Sequence, residues 1–197
     1  MNYLAHAYLS FGIPGIVVGN LISDFVKGKK KFDYPVRIQQ GISLHRAIDT
    51  FTDEHEVTKL AKEIFRPAYR LYSGAFVDVV FDHFLAIDNH EFTQDSLLSF
   101  SQSVYTILDN HQTWLPHNFS LLFPYMKSQN WLYNYRNIQG TKNSFGGVVR
   151  RAAYLAESET AGRLFEQHYE ELGTLYQQFF PSLKIFARQR LDMLLSS

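Results

Sequence analysis

Phe76-Val77-Asp78-Val79-Val80-Phe81-Asp82-His83-Phe84-Leu85 is the stretch on which the fold turns. It is the centre of a long apolar run, about residues 68–87, that reads as a buried helix carrying three ionisable groups. Outward from it, the chain reads as helix after helix. Clean two-residue alternation is hard to find, which argues against strands. The prolines, Pro14, Pro35, Pro67, Pro116, Pro124 and Pro181, fall where helices should start or stop. The pattern predicts helices over about 2–9, 15–26, 36–51, 54–65, 68–87, 94–108, 121–126, 131–138, 144–156 and 160–179. Thr52 or Asp53 is expected to cap the fourth, and Pro181 to kink or restart the last before a short tail helix.

Composition bounds the class. With 197 residues, 46% of them hydrophobic and 17 Phe among them, the chain can bury a core without staples. The expectation is an all-α fold, a single compact multi-helix domain over residues 1–197. Lys plus Arg and Asp plus Glu both number 19, so there is no global basic field and no nucleic-acid partner is expected. The absence of cysteine excludes disulfides and thiolate zinc sites. No signal-peptide pattern opens the chain. The apolar stretch 13–18 is broken by Pro14 and Gly15 and falls short of the ~20 residues of a membrane helix. No membrane association is expected, and the cytoplasm is the default address.

Carboxylates and imidazoles concentrate in the first half: His6, Asp24, His45, Asp49, Asp53, Asp78, Asp82 and His83. Asn20 and Asp24, His45 and Asp49, Asp49 and Asp53, and Asp78 and Asp82 are each four apart, so each pair stacks on one helical face. A buried carboxylate is costly unless paired, hydrogen-bonded or metal-bound. Asp78, Asp82 and His83 in one apolar helix therefore call for a shared partner, and a divalent cation is the economical one. Carboxylate and imidazole donors without thiolate suit Mn²⁺, Fe²⁺ or Zn²⁺.

Plainer readings stand beside these. His6 reads also as a core or capping histidine, Asp53 as an N-cap, and His45 with Asp49 as a surface pair. Asp82 and His83 read also as a buried polar network tied to Arg66 or Arg70. The basic run Lys27, Lys29, Lys30 and Lys31 is either a solvated turn or a docking patch for an acidic partner or phosphate, which Arg37, Arg46, Arg66 and Arg70 could extend. Trp131, Tyr133 and Tyr135 read as core packing. His55, His90, His111, His117 and His168 receive no role. Gly12, Gly15 and Gly19 do not form a phosphate loop, and no nucleophile elbow is present.

Four stretches share an order and spacing. They are Asn2-Tyr3-Leu4-Ala5-His6; residues 19–28, Gly-Asn-Leu-Ile-Ser-Asp-Phe-Val-Lys-Gly; residues 41–53, Gly-Ile-Ser-Leu-His-Arg-Ala-Ile-Asp-Thr-Phe-Thr-Asp; and residues 78–85, Asp-Val-Val-Phe-Asp-His-Phe-Leu. Together they resemble the bacterial acyl carrier protein phosphodiesterases, with Trp131 and Tyr135-Arg136 a weaker echo. The resemblance implies an HD-like helical fold, although the doublet here is Asp82-His83 rather than His-Asp. It implies a divalent metal, Mn²⁺ favoured over Fe²⁺, Mg²⁺ or Zn²⁺. It implies acyl carrier protein as substrate, with hydrolysis of the phosphodiester that joins 4′-phosphopantetheine to its serine.

On this footing the expected metal ligands are His45, Asp82 and His83, then Asp24. Asp49 joins them as a catalytic group, and His6, Asn20, Asp53 and Asp78 are further ligands, orienting groups or proton carriers. Lys27 and Arg46, with Lys29, Lys30 and Lys31, would meet phosphate or the acidic carrier. Two competing functions use the same residues: a metal phosphohydrolase of a small nucleotide or phosphoester, and a non-enzymatic helical module that binds carrier protein.

Overall fold

The computed structural model describes residues 1–196. Among them there is no strand, and eleven α-helices follow one another. They are α1 (Tyr3–Tyr8), α2 (Pro14–Ile22), α3 (Val36–Glu54), α4 (Glu56–Tyr69), α5 (Ser73–Ile87), α6 (Gln94–Asp109), α7 (His117–Ser128), α8 (Trp131–Asn134), α9 (Ile138–Arg151), α10 (Glu159–Gln167) and α11 (Tyr169–Ser196). Short 3-10 turns, Ser23–Phe25 and Gly28–Asp33, lead from α2 into α3. No helix among the described residues is long and apolar enough to cross a membrane.

The central helix is α5, from which Phe76, Val77, Val79, Val80, Phe81 and Leu85 are withdrawn from solvent. Burying side chains of this kind stabilises by roughly 1.5–3 kcal/mol each. On one side Phe76 packs on Phe65 of α4 and Phe145 of α9, with ring centroids 5.9 and 5.5 Å away. On the other, Phe81 stacks on Phe179 of α11 at 5.3 Å. The long α11 also covers α3, where Phe186 stacks on Phe51 at 4.4 Å.

The helices α2 and α3 approach each other closely. A Cβ built on Gly19 would lie 2.1 Å from the Ile38 carbonyl oxygen, and one built on Gly41 would lie 2.4 Å from that of Ile16. The two backbones touch there, and only glycine allows it.

Several boundaries differ from the sequence expectation: α2 ends at Ile22, α8 ends at Asn134, α9 spans Ile138–Arg151 rather than 144–156, and Pro67 and Pro124 lie inside α4 and α7. The run 68–87 is not one helix: the chain breaks after Tyr69, with Arg70 at φ +47, and α5 restarts at Ser73. Thr52 and Asp53 do not start a helix but lie in the last turn of α3; His55 caps α4, its side chain accepting from the Val57 N–H at 3.3 Å. Pro181 lies inside an unbroken α11. The missing N–H there removes one helical hydrogen bond, and the buried face bearing Phe179, Phe180 and Leu183 carries the helix through.

Candidate metal centre

Three elements bring the site together: α1 supplies His6, α2 and its following turn supply Asn20 and Asp24, and α3 supplies His45 and Asp49. The α1 helix has six residues, too few to hold itself. Its N-terminus rests on Asp82 of α5. Asp82 accepts the N–H of Leu4 at 2.7 Å through Oδ2, and those of Asn2 and Ala5 at 3.1 and 3.3 Å through Oδ1. Those are N–H groups that a helix start leaves unsatisfied. Burial pushes the Asp82 carboxyl up, to about 7, against the pull of the amino terminus and these N–H groups.

Asn20 fixes both histidines. Its Oδ1 lies 2.8 Å from His6 Nδ1, and its main-chain oxygen lies 2.7 Å from His45 Nδ1. Its Nδ2 donates to the His6 carbonyl and to Ser10 Oγ, at 2.8 and 3.0 Å, which sets the amide orientation. Both oxygens can only accept, so each histidine donates from Nδ1. Each Nε2 is then the free nitrogen, and both point the same way. The rings stack at 3.9 Å and 16°.

The two Nε2 atoms face carboxylates. His6 Nε2 is 3.1 Å from Asp49 Oδ1. His45 Nε2 is 3.0 Å from Asp49 Oδ2 and 3.1 Å from Asp24 Oδ1. The α-amino nitrogen of Met1 is 2.9 Å from Asp78 Oδ1 and 3.8 Å from Asp49 Oδ1. Burial lowers that amine, but Asp78 and Asp49 outweigh it and raise its pKa to about 10. Burial pushes Asp78 up.

Stacked imidazoles do not both charge. Burial, helped by His45, pushes His6 down to about 4. Burial would lower His45 too, yet its bonds to Asp24 and Asp49 win and raise it to about 9. The hydrogen bond from His45 holds Asp24 below the usual carboxylate range. Burial alone would raise Asp49, and the neighbouring imidazoles hold it far below that range instead.

His6, His45 and Asp49 each offer a ligand atom within 4.8 Å of the others. His6 Nε2 is buried and makes no hydrogen bond among the described residues, although Asp49 Oδ1 is 3.1 Å away. A lone pair facing a carboxylate needs a positive charge between them. Two imidazole nitrogens and one carboxylate, with Asp24 open to solvent beside them, form a donor set that fits a divalent ion. In each histidine the other nitrogen is held by an acceptor, as metal-ligating histidines require.

The remaining expected site residues fall elsewhere. Asp82 and His83 do not join this group. Both Asp82 oxygens are taken by α1, and His83 points the other way along α5: its Nδ1 is 2.7 Å from the Tyr135 carbonyl and its Nε2 is 2.8 Å from the Tyr169 hydroxyl. Burial lowers the His83 pKa, which keeps it neutral in that network. Asp53 pairs with Lys62 at 2.7 Å on the surface. Lys27, Lys29 and Lys30 are exposed in the turn that follows Asp24, Lys31 reaches Ser43 Oγ at 3.4 Å, and Arg46 donates to the Val26 carbonyl at 2.8 Å. Ser10, which steadies Asn20, carried no signal in the sequence.

The family model described as acyl carrier protein phosphodiesterase matches residues 1–183. Relatives named acyl carrier protein phosphodiesterase align over nearly the whole chain. That of Photorhabdus laumondii is 30% identical over 92% of this chain and 92% of its own. That of Yersinia pestis is 33% identical over 93% and 95%. That of Klebsiella pneumoniae is 31% identical over 96% and 99%. No solved structure matches the chain.

Proposed function

The chain belongs to the acyl carrier protein phosphodiesterase family, and from that premise we propose that it hydrolyses the phosphodiester linking 4′-phosphopantetheine to a serine of holo-acyl carrier protein, using a divalent ion held by His6, His45 and Asp49. Water adds oxygen to phosphorus, the P–O bond to serine breaks, and the serine oxygen leaves with a proton as the hydroxyl. The products are apo-carrier protein and free 4′-phosphopantetheine. Mn²⁺ is the proposed ion, since nitrogen and carboxylate oxygen donors without thiolate suit it. The proposed address is the cytoplasm.

One observation carries the metal: the buried His6 Nε2 without a hydrogen bond among the described residues, aimed at Asp49. A bound divalent ion supplies Lewis-acid charge for the phosphoryl oxygens and acidifies water at neutral pH. The chain does the rest. Asn20 holds both imidazoles as Nδ1 donors. Asp24, ionised and 73% exposed in its side chain, stands at the mouth, where it can orient the attacking water. Asp82 acts through α1 as a positioning residue for His6, and His83 braces α5 against α9 and α11. Lys27, three residues after Asp24, and Arg46, which donates to the Val26 carbonyl, stabilise charge on the phosphoryl group. Lys29 and Lys30, free in the exposed turn, steer an acidic carrier.

The test is mass spectrometry of holo-acyl carrier protein incubated with this protein, once with Mn²⁺ and once with EDTA. Loss of the 4′-phosphopantetheine mass only with Mn²⁺ is expected. An unchanged mass with every divalent ion offered, from folded protein, would sink the reading.

A further inference from the structure

A cavity of about 100 Å³ opens between the start of α1 and the pair α8 and α9. One water needs about 10–15 Å³ by such a measure, so this space takes a chain segment of several heavy atoms. Its walls mix the rings of Tyr3, Trp131 and Tyr135 with amide and hydroxyl groups from Asn134, Asn143 and Ser144. No carboxylate lines it among the described residues. The charges at its rim are guanidinium groups, and Arg151 makes no hydrogen bond or ion pair among the described residues.

Two features tie this cavity to a ligand. The first is Gly147, in the interior of α9 on the cavity wall. Glycine weakens a helix interior, so it usually has a reason there. Gly140 has one: a Cβ would lie 2.0 Å from the Asn134 carbonyl oxygen. Gly147 has none in the packing. A Cβ there meets nothing closer than the Arg151 guanidinium at 3.6 Å, and its φ is not positive. What the missing side chain leaves is open cavity. The second is Tyr3, one helical turn before His6. Tyr3 lines the cavity and shares the short α1 with His6, so one helix carries both a wall of the cavity and a member of the metal centre. The Tyr3 hydroxyl makes no hydrogen bond among the described residues.

We propose that this cavity holds the pantetheine arm of the substrate, with Arg151 and Tyr3 at the phosphate end turned toward His6, His45 and Asp49. The arm is a narrow, uncharged chain with two amides and one terminal phosphate. Neutral amide and hydroxyl partners, aromatic walls and the guanidinium groups of Arg150 and Arg151 match that chemistry. The inference rests on the proposed reaction for the identity of the arm, and its test separates the two.

The chain has two tryptophans, so Trp114→Phe leaves Trp131 as the only indole. In that background, with EDTA present, D-pantetheine is titrated against Trp131 fluorescence. A saturable change is expected, weakened at least tenfold by Gly147→Leu, which places a side chain in the cavity without a backbone clash. In parallel, Gly147→Leu should lower kcat/KM on holo-acyl carrier protein at least tenfold, mostly through KM, with helical content and metal stoichiometry intact. Wild-type turnover of holo-carrier protein matched by Gly147→Leu overturns the cavity and leaves the reaction standing. Absence of turnover in wild type, with pantetheine still bound through a Gly147-sensitive cavity, overturns the reaction and retains the subsite. Absence of any pantetheine-dependent change at Trp131 overturns the cavity whatever the turnover.

Discussion

Replacing Gly19 by alanine should damage the metal centre from behind. In an ordinary helix the change would gain about 1 kcal/mol. Here the new Cβ would lie 2.1 Å from the Ile38 carbonyl oxygen, 2.8 Å from the Ile42 nitrogen and 2.9 Å from the Gly41 Cα. All three are backbone atoms and none can rotate away. Relief needs α2 and α3 to part by about 1 Å, and overpacking of this kind typically costs about 1–3 kcal/mol. Net destabilisation of up to about 2 kcal/mol is expected, a fall in Tm of up to roughly 8 °C for a chain of this size. The larger effect falls on His45. Its Nδ1 bond to the Asn20 carbonyl is 2.7 Å and spans the gap that must widen. Opened by about 1 Å it is no longer a hydrogen bond, and Mn²⁺ affinity should drop about 10–100-fold. The assay is a competition titration with a fluorescent chelator beside a urea melt. Gly147→Ala is the control, since it adds the same methyl where nothing lies within 3.5 Å; it should keep or raise stability. A Gly19→Ala protein as stable as wild type, with wild-type metal affinity, would refute the claim that backbone contact positions the site.

Four further outcomes are expected. Asn20→Ala, which strands buried partners on His6 and Ser10, should cost about 1–3 kcal/mol in a denaturant melt and weaken metal binding about 10–100-fold in the same titration. Asp82→Asn, which keeps one of the two acceptor oxygens that α1 uses, should retain full metal stoichiometry by elemental analysis, as should His83→Gln; loss of metal from either variant while its helical content is intact would restore it as a ligand. In EDTA-treated protein, His45 is raised from 6.5 to about 9, so its stabilisation is complete below pH 6.5 and is lost as pH rises toward 9. That contribution is on the order of 3 kcal/mol. His6, lowered to about 4, works on the acid side: stability falls as pH drops from 6.5 toward 4. Mn²⁺ binding at pH 7.5 should then expel the His45 proton, read as about one proton per ion by calorimetry in two buffers; no proton release would contradict the raised His45. Reversing Lys29 and Lys30 to glutamate should raise KM for carrier protein several-fold at low salt and flatten its salt dependence; an unchanged KM would remove the patch from the docking surface.

Much of the architecture was legible because helix signals are local. Periodicity, prolines and the i, i+4 pair His45–Asp49 are written within a few residues of one another. The boundaries that failed depended on distant partners. Asp53 resembles an N-cap, but Lys62 of α4 takes it. Pro181 resembles a stop, but its neighbours Phe179 and Leu183 are fully buried and continue the helix. The same limit governed the site. A carboxylate in an apolar helix had to have a partner, and a cation was one answer. The partner of Asp82 is instead the backbone of residues about eighty positions earlier, which no side-chain pattern records. His6 and Asn20 were visible as candidates, yet only the contact of Gly19 with α3 brings the Asn20 carbonyl to His45.

Both imidazoles hang from one residue. Because Asn20 anchors His6 through its side chain and His45 through its main chain, the two nitrogens share a single datum. A displacement of α2 would act on both rings at once, although they sit on α1 and α3. The two anchors are separable: loss of the Asn20 side chain releases His6, while His45 keeps the Asn20 main-chain oxygen.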